Sequence, residues 1–479
     1  MKLATACLAL CLCFPTLSAN ELKLPDMGDS TGTLISPLQE KALGESFFRS
    51  IQNQLSISDD PDIQHYIQSI GRHIAANSDN PSQAFYFFVV LSQDINAFAG
   101  PGGFIGINSG LILNSESESE LASVMAHEIA HVTQRHIYRA YEAANRMTLP
   151  AAAAMIAAII VASQAPEMGI GAISAIQAGS AQMQINFTRD NEQEADRVGL
   201  KTLAKAAFNP RSMPAFFEKL QQASRYYGKG APEFLRTHPM TSSRIADTRG
   251  RAESYPYRQS SDSQTYRLIK AKLRTLSTMT AKDLILYFEQ RLSIGTQKQR
   301  DAMHYGLALS YAKQRDYKKA SSLLKSLNKS TPQQAIYLSS LASITSLKGD
   351  FSLAEQYYDT LQKKYPDNQS FKRLAIANLI KARQVKRALQ QLKAIPYAFQ
   401  HHAQYYLLLA QSYGLLKKEA LLHRYMAEYY YVTGQTNTAI MQIKLAQQAK
   451  DTNFYLAAIL EDRLRFFKSE IKALKQLRE

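Results

Sequence analysis

Ala126-His127-Glu128-Ile129-Ala130-His131 lies inside a stretch, residues 116 to 140, that reads as helix and opens on the acidic Glu116, Glu118 and Glu120, suited to the positive end of a helix dipole. Residues four apart share one helical face, so His127 and His131 both aim an imidazole at one metal ion. Glu128 stands one step round, beside the water that the metal activates. Zinc lowers the pKa of such a water towards about 7 and polarises a scissile carbonyl, while the glutamate takes the proton and later delivers it to the leaving amine.

A catalytic zinc needs three protein ligands and one open position. Downstream, Glu192-Gln193-Glu194-Ala195-Asp196 supplies the carboxylates. Glu192 and Asp196 are i and i+4, so one helix face gives Glu192 to the metal and Asp196 to the outer nitrogen of a histidine, fixing that ring. Glu194 reads as pointing elsewhere, towards solvent. His136, five residues past His131, reads as turned off the ligand face.

Working outward, Pro37 to about Asn77 carries apolar residues at helical spacing, as in Ile63, Tyr66, Ile67, Ile70 and Ile74. Phe85 to Leu91 and Phe104 to Asn108 read as two strands, joined through a loop with the turn signal Gly100-Pro101-Gly102-Gly103. Residues 150–162 are unbroken Ala, Met, Ile and Val after Pro150. Such a helix reaches roughly 20 Å at 1.5 Å per residue, short of the roughly 30 Å hydrocarbon core of a bilayer. It reads as a core helix, with peripheral membrane contact as the alternative.

The first nineteen residues read as a secretory signal peptide, with Lys2, an apolar run and small residues before Asn20. Cys7, Cys11 and Cys13 all lie within it, so cleavage after Ala19 leaves no disulfides in an exported chain. Neither Cys11 nor Cys13 follows the Leu-small-small stretch that lipidation requires. The net charge is +16 over 479 residues. No zinc-finger or RNA-binding signature accompanies it, so lipid or an acidic protein is the expected partner, not nucleic acid. Between residues 262 and 330 there are fourteen Lys/Arg against five Asp/Glu, either a solvated face or a docking surface.

Past residue 262 a 34-residue period emerges. Ala308, Tyr311, Ala320 and Pro332 recur as Ala342, Gly349, Ala354 and Pro366, and a further unit carries Ala427, Tyr430, Gly434 and Ala439. Small residues where paired helices approach, with proline after the second helix, look like tetratricopeptide repeats. Degenerate copies are expected around Ala388 and Tyr413.

His127-Glu128-x-x-His131 with Glu192-x-x-x-Asp196 resembles the M48 family of metallopeptidases. Asn96-Ala97-Phe98-Ala99 followed by Pro101-Gly102-Gly103 is similar to that family's strand and loop beside the cleft, and His238 and Arg244 match its later His and Arg six apart. The signal peptide and repeats narrow the likeness to periplasmic members that degrade misassembled outer-membrane proteins and help their assembly machinery. The resemblance implies one zinc per chain held by His127, His131 and Glu192. It implies Arg244 stabilising the oxyanion, and His238 either doing likewise or capping zinc as a fourth, latent-state ligand. An extended peptide would add along a sheet edge, with Phe104 to Asn108 the expected strand.

The expected architecture is thus a signal peptide (1–19), an α+β zinc peptidase domain, mostly helical with a small sheet (20–255), and an α-solenoid of tetratricopeptide-like repeats (256–479). Misfolded outer-membrane proteins are the expected substrates, and the outer-membrane β-barrel assembly machinery the expected partner of the repeats. The rival is a repeat-based chaperone or assembly factor whose zinc site is closed or latent.

Overall fold

The computed structural model describes residues 36–138, 153–154, 156–158, 160–161, 189–227, 232–258, 260–396 and 402–475. The expected signal peptide lies outside them, as does part of 150–162. Helix α1 (Pro37–Gln54) opens on a capping box between Ser36 and Gln39, and α2 (Pro61–Ala75) on an Asp60 cap. The lead-in is therefore two helices, separated by a short extended piece in which Ile57 bridges Val90.

Three strands follow where the sequence suggested two: β1 (Tyr86–Val90), β2 (Ala97–Ala99) and β3 (Phe104–Asn108). Their order is β1-β3-β2, with β3 parallel to β1 and antiparallel to β2. This corrects the expected peptide-binding edge. Phe104 to Asn108 is the central strand with both sides paired, so among the described residues the sheet edge beside the ligand helix belongs to β2.

After the short α3 (Ser109–Asn114), α4 (Glu118–Thr133) carries the His-Glu-x-x-His segment through the core, capped by Ser117. It stops short of residue 140 because Arg135 takes φ 56°, a left-handed conformation that breaks the helical path. Helix α5 (Arg189–Lys205) crosses α4 closely. At the crossing stands Gly199, where a Cβ would sit 3.1 Å from backbone atoms of Ala126 and His127. That close approach lets the short carboxylate side chains of α5 reach the imidazoles of α4. Helices α6 (Ser212–Tyr227), α7 (Glu233–Thr237) and α8 (Ser242–Glu253) close the site from the other side.

Of the apolar stretch 150–162, the described Ala153, Ile156, Ala157, Ile160 and Val161 are buried in the main core, which favours the core-helix reading. No helix among the described residues is long and apolar enough to cross a membrane.

Beyond α9 (Gln264–Thr275) and α10 (Ala281–Glu289), helices pair in series: α11 (Gln297–Lys313) with α12 (Tyr317–Ser330), α13 (Ala335–Leu347) with α14 (Phe351–Lys364), α15 (Gln369–Lys381) with α16 (Val385–Lys393), and α17 (Ala403–Leu415) with α18 (Glu419–Val432). The turn of each pair holds one left-handed residue, Arg315, Gly349, Arg383 and Lys417, spaced 34 apart. In each, the next N–H reaches back five residues, as from Asp350 to the Thr345 carbonyl and from Gln384 to that of Leu379. The degenerate copies expected around Ala388 and Tyr413 are thus regular in backbone, and both residues fall on the period, 34 after Ala354 and 102 after Tyr311.

The unit read at Ala427 to Ala439 is half a repeat out of phase, since Gly434 turns α18 into α19 (Thr436–Gln448), which then packs on α20 (Phe454–Lys475). Ala308, Ala320, Ala342, Ala354, Ala388, Ala427 and Ala439 are all fully buried, as close helix approach requires. The array curves back onto α1. The Gly434 turn packs on the Arg49 backbone, and the Arg49 side chain reaches Glu470 at 3.3 Å. The main core runs without a break from α1 to Ile344, so residue 255 marks a change of character and not a gap in packing.

Candidate metal centre

One cluster of buried side chains gathers residues from α4, α5 and the end of α7. His127, His131, Glu192 and His238 place one ligand atom each within 4.8 Å of one another. His127 Nε2 lies 3.0 Å from His131 Nε2, 3.5 Å from Glu192 Oε2 and 3.4 Å from His238 Nδ1. Glu192 Oε1 lies 3.5 Å from His131 Nε2 and 2.9 Å from His238 Nδ1. A tetrahedral zinc with bonds of about 2.0–2.1 Å sets its ligand atoms roughly 3.3 Å apart, so these separations fit a single ion. Two imidazole nitrogens 3.0 Å apart share at most one hydrogen, and a cation between them and the carboxylate satisfies all of them.

The surroundings show the same need for positive charge. Burial pulls His127 down, but the hydrogen bonds and charges of Asp196 and Glu192 outweigh it and hold its imidazolium up at about 9. Burial together with the neighbouring His127 charge keeps His131 well below its usual range. Glu192, despite a burial that opposes its charge, is held well below the usual carboxylate range by His238 and His127. Glu128 moves the other way. It is raised by burial, with His238, His127 and the Ala99 backbone opposing. Its carboxylate makes no hydrogen bond of good geometry among the described residues, and Oε1 is 3.5 Å from His238 Nε2.

Asp196 stands where the i, i+4 spacing puts it, 3.0 Å from His127 Nδ1. Arg244, expected as an oxyanion donor, is engaged by carboxylates in this structure. Its Nε and Nη2 each donate to Asp196 at 2.8 Å, and Nη1 lies 2.7 Å from Glu192 and donates to the Pro239 carbonyl at 2.9 Å. A guanidinium placed in this way ties both α5 carboxylates to the segment that follows His238.

His238 is held in place by its neighbours. The Phe234 N–H donates to the Ile95 carbonyl just ahead of β2, the His238 N–H donates to the Phe234 carbonyl, and the Phe234 ring stacks on the imidazole at 4.7 Å. With His238 1% exposed and Glu128 fully buried, the centre is closed to solvent.

The sequence misled on two residues. His136 is fully buried with Nδ1 2.8 Å from His131 Nδ1, and its Nε2 lies 3.1 Å from Glu194. Helical spacing had turned His136 away, but the left-handed Arg135 reverses the chain and brings its ring back. Glu194 pairs with it instead of only meeting solvent. The available signal was the outer nitrogen of His131, which needed an acceptor that Asp196 could not also supply.

Residues 61–252 match peptidase family M48. The beta-barrel assembly-enhancing protease of Yersinia pestis is 35% identical over 399 residues, covering 83% of this chain and 81% of that protein. That of Escherichia coli (strain K12) is 36% identical over 324 residues, covering 68% and 66%. The mitochondrial metalloendopeptidase OMA1 of Arabidopsis thaliana is 30% identical over 183 residues, covering 38% and 35%.

Proposed function

From the fact that this chain belongs to peptidase family M48 and is a zinc metalloendopeptidase, we propose that it works in the periplasm on outer-membrane β-barrel proteins that fail to assemble, degrading them and assisting the assembly of others. The observation that carries the catalytic part is the ligand quartet at zinc spacing with Glu128 beside it. The relatives, beta-barrel assembly-enhancing proteases, supply the substrate class. The signal-like first nineteen residues support export, and the basic stretch from 262 to 330 supports docking on the assembly machinery through the repeat domain. The functional division into peptidase (20–255) and repeats (256–479) belongs to this proposal.

When bound, zinc polarises the scissile carbonyl and acidifies the attacking water. His127, His131 and Glu192 would hold it, with Asp196 fixing the His127 ring. Glu128 takes the water's proton at its carboxylate and passes it to the leaving amine. An extended substrate pairs with the free edge of β2, by main-chain hydrogen bonds. Arg244 keeps Glu192 and Asp196 in register.

A latent state is favoured by a specific observation: His238 Nδ1 sits at ligand distance from Glu192 and His127, making a closed set of four. Substrate then enters only after the 232–239 segment lifts. The rival, a repeat chaperone with a permanently closed zinc site, makes the same contact but never opens it. Degradation of an unfolded outer-membrane protein by zinc-loaded wild type, Glu128→Gln and His238→Ala separates them. Loss in Glu128→Gln and gain in His238→Ala are expected of a gated hydrolase. Equal behaviour of wild type and Glu128→Gln would overturn it in favour of the chaperone.

A further inference from the structure

We propose that His136 is a positioning residue of the metal centre: with Glu194 behind it, it fixes the ring of His131 as Asp196 fixes that of His127. The proposal rests on the zinc-centre reading above and extends it to residues that no ligand motif contains.

The contacts between these side chains fit one arrangement of hydrogens. His131 turns Nε2 towards His127 and Glu192. A ligand imidazole offers a lone pair from that nitrogen, so its hydrogen resides on Nδ1. His136 Nδ1, 2.8 Å away, must then accept, which places the hydrogen of a neutral His136 on Nε2. That N–H points at the Glu194 carboxylate 3.1 Å off, which accepts it. Each group thus specifies the tautomer of the next, from a carboxylate 28% exposed to an imidazole with no exposure.

The two histidines of α4 are therefore supported differently. His127 leans directly on a carboxylate that Arg244 also holds. His131 leans on a second imidazole that only the Arg135 reversal brings within reach. Both supports end on α5, the helix that also gives Glu192, so one helix sets the ligand and the orientation of both rings.

The test measures zinc affinity of the purified full chain by competition with a chromophoric chelator, alongside melting of the zinc-free protein. His136→Gln keeps an acceptor for His131 and a donor for Glu194, whereas His136→Leu keeps only bulk. His136→Leu is expected to weaken the Kd for zinc about 10- to 100-fold, His136→Gln by no more than about threefold, and Glu194→Ala by an amount between them. Wild-type affinity in a folded His136→Leu would overturn the proposal, as would equal weakening in His136→Gln and His136→Leu, which would mean packing alone. Should His136→Leu fail to fold, Glu194→Ala decides, and unchanged affinity there overturns the relay. A wild type that binds no zinc would instead sink the metal-centre reading beneath it.

Discussion

Two ionic clusters among the described residues differ in whether the chain satisfies them by itself. At the junction of α2 with α9 and α13, Lys272 lies 2.6 Å from Asp62 and 2.7 Å from Asp60, with the Ser339 hydroxyl also on Asp62. Burial alone would discharge that lysine, but the two carboxylates outweigh it and hold it well above its usual range. In the metal centre, by contrast, three imidazoles crowd a glutamate at ligand spacing, and a further carboxylate, Glu128, is buried without a good hydrogen bond. A complete cluster is a fastening. An incomplete one, held rigid by Asp196, Arg244 and His136, is built for a cation that comes from outside.

The sharpest way to break this contrast is to remove one carboxylate from the incomplete cluster. Glu128→Gln should lower kcat about 10²- to 10⁴-fold, as loss of a general base does, while the melting temperature holds or rises because a buried charge is gone. A matching loss of stability would make Glu128 a fastening residue and erase the distinction. The converse applies at the junction. Lys272→Met leaves the buried Asp62 without its cation beside the partly exposed Asp60 and should cost about 1–3 kcal/mol in denaturant unfolding, with residual activity of the folded fraction retained. A near-neutral result would show that the junction is not what joins the two parts.

The contrast is sharpened by a partly buried histidine that has a charged neighbour of its own sign. His402 caps α17 by accepting from the Gln404 N–H, and burial, with Arg373 nearby, holds its pKa down at about 4. Because the folded value lies below the usual 6.5, the unfolded chain takes up the proton first. Stability is then full above about pH 6.5 and falls as pH drops towards 4, by about 1–3 kcal/mol. His402→Asn, which keeps a capping acceptor, should flatten that acid-side loss in melting curves between pH 7.5 and 5. An unchanged slope would assign the loss elsewhere. The smallest effect concerns backbone alone. Arg383 is exposed at φ 62° in a repeat turn, and Arg383→Gly should stabilise by about 0.5–1 kcal/mol. Destabilisation would mean that its side chain matters to the repeat.

What the sequence made legible follows the range of the signals. His127, Glu128 and His131, and the pair Glu192 and Asp196, are spaced within single helices, where 3.6 residues per turn fixes who shares a face. The repeats were readable for the same reason, through buried alanines at constant spacing. The errors came where a left-handed residue or a strand order intervenes. Arg135 returns His136 to the site, Gly434 shifts the last unit by half a repeat, and a three-strand order with β3 in the middle moves the free edge to β2. Helical and repeat periods encode none of these: the first two are single left-handed residues at local turns, and the third is a pairing between separate strands.

The most direct test of the central claim is X-ray absorption at the zinc edge on the purified chain and on His238→Ala, with metal content measured in parallel. One zinc per chain, bound by nitrogen and oxygen at about 2.0–2.1 Å with three imidazoles in wild type and two in His238→Ala, is the predicted result. Absence of stoichiometric zinc, or an imidazole count that does not change on losing His238, would contradict the closed, latent centre described for this protein.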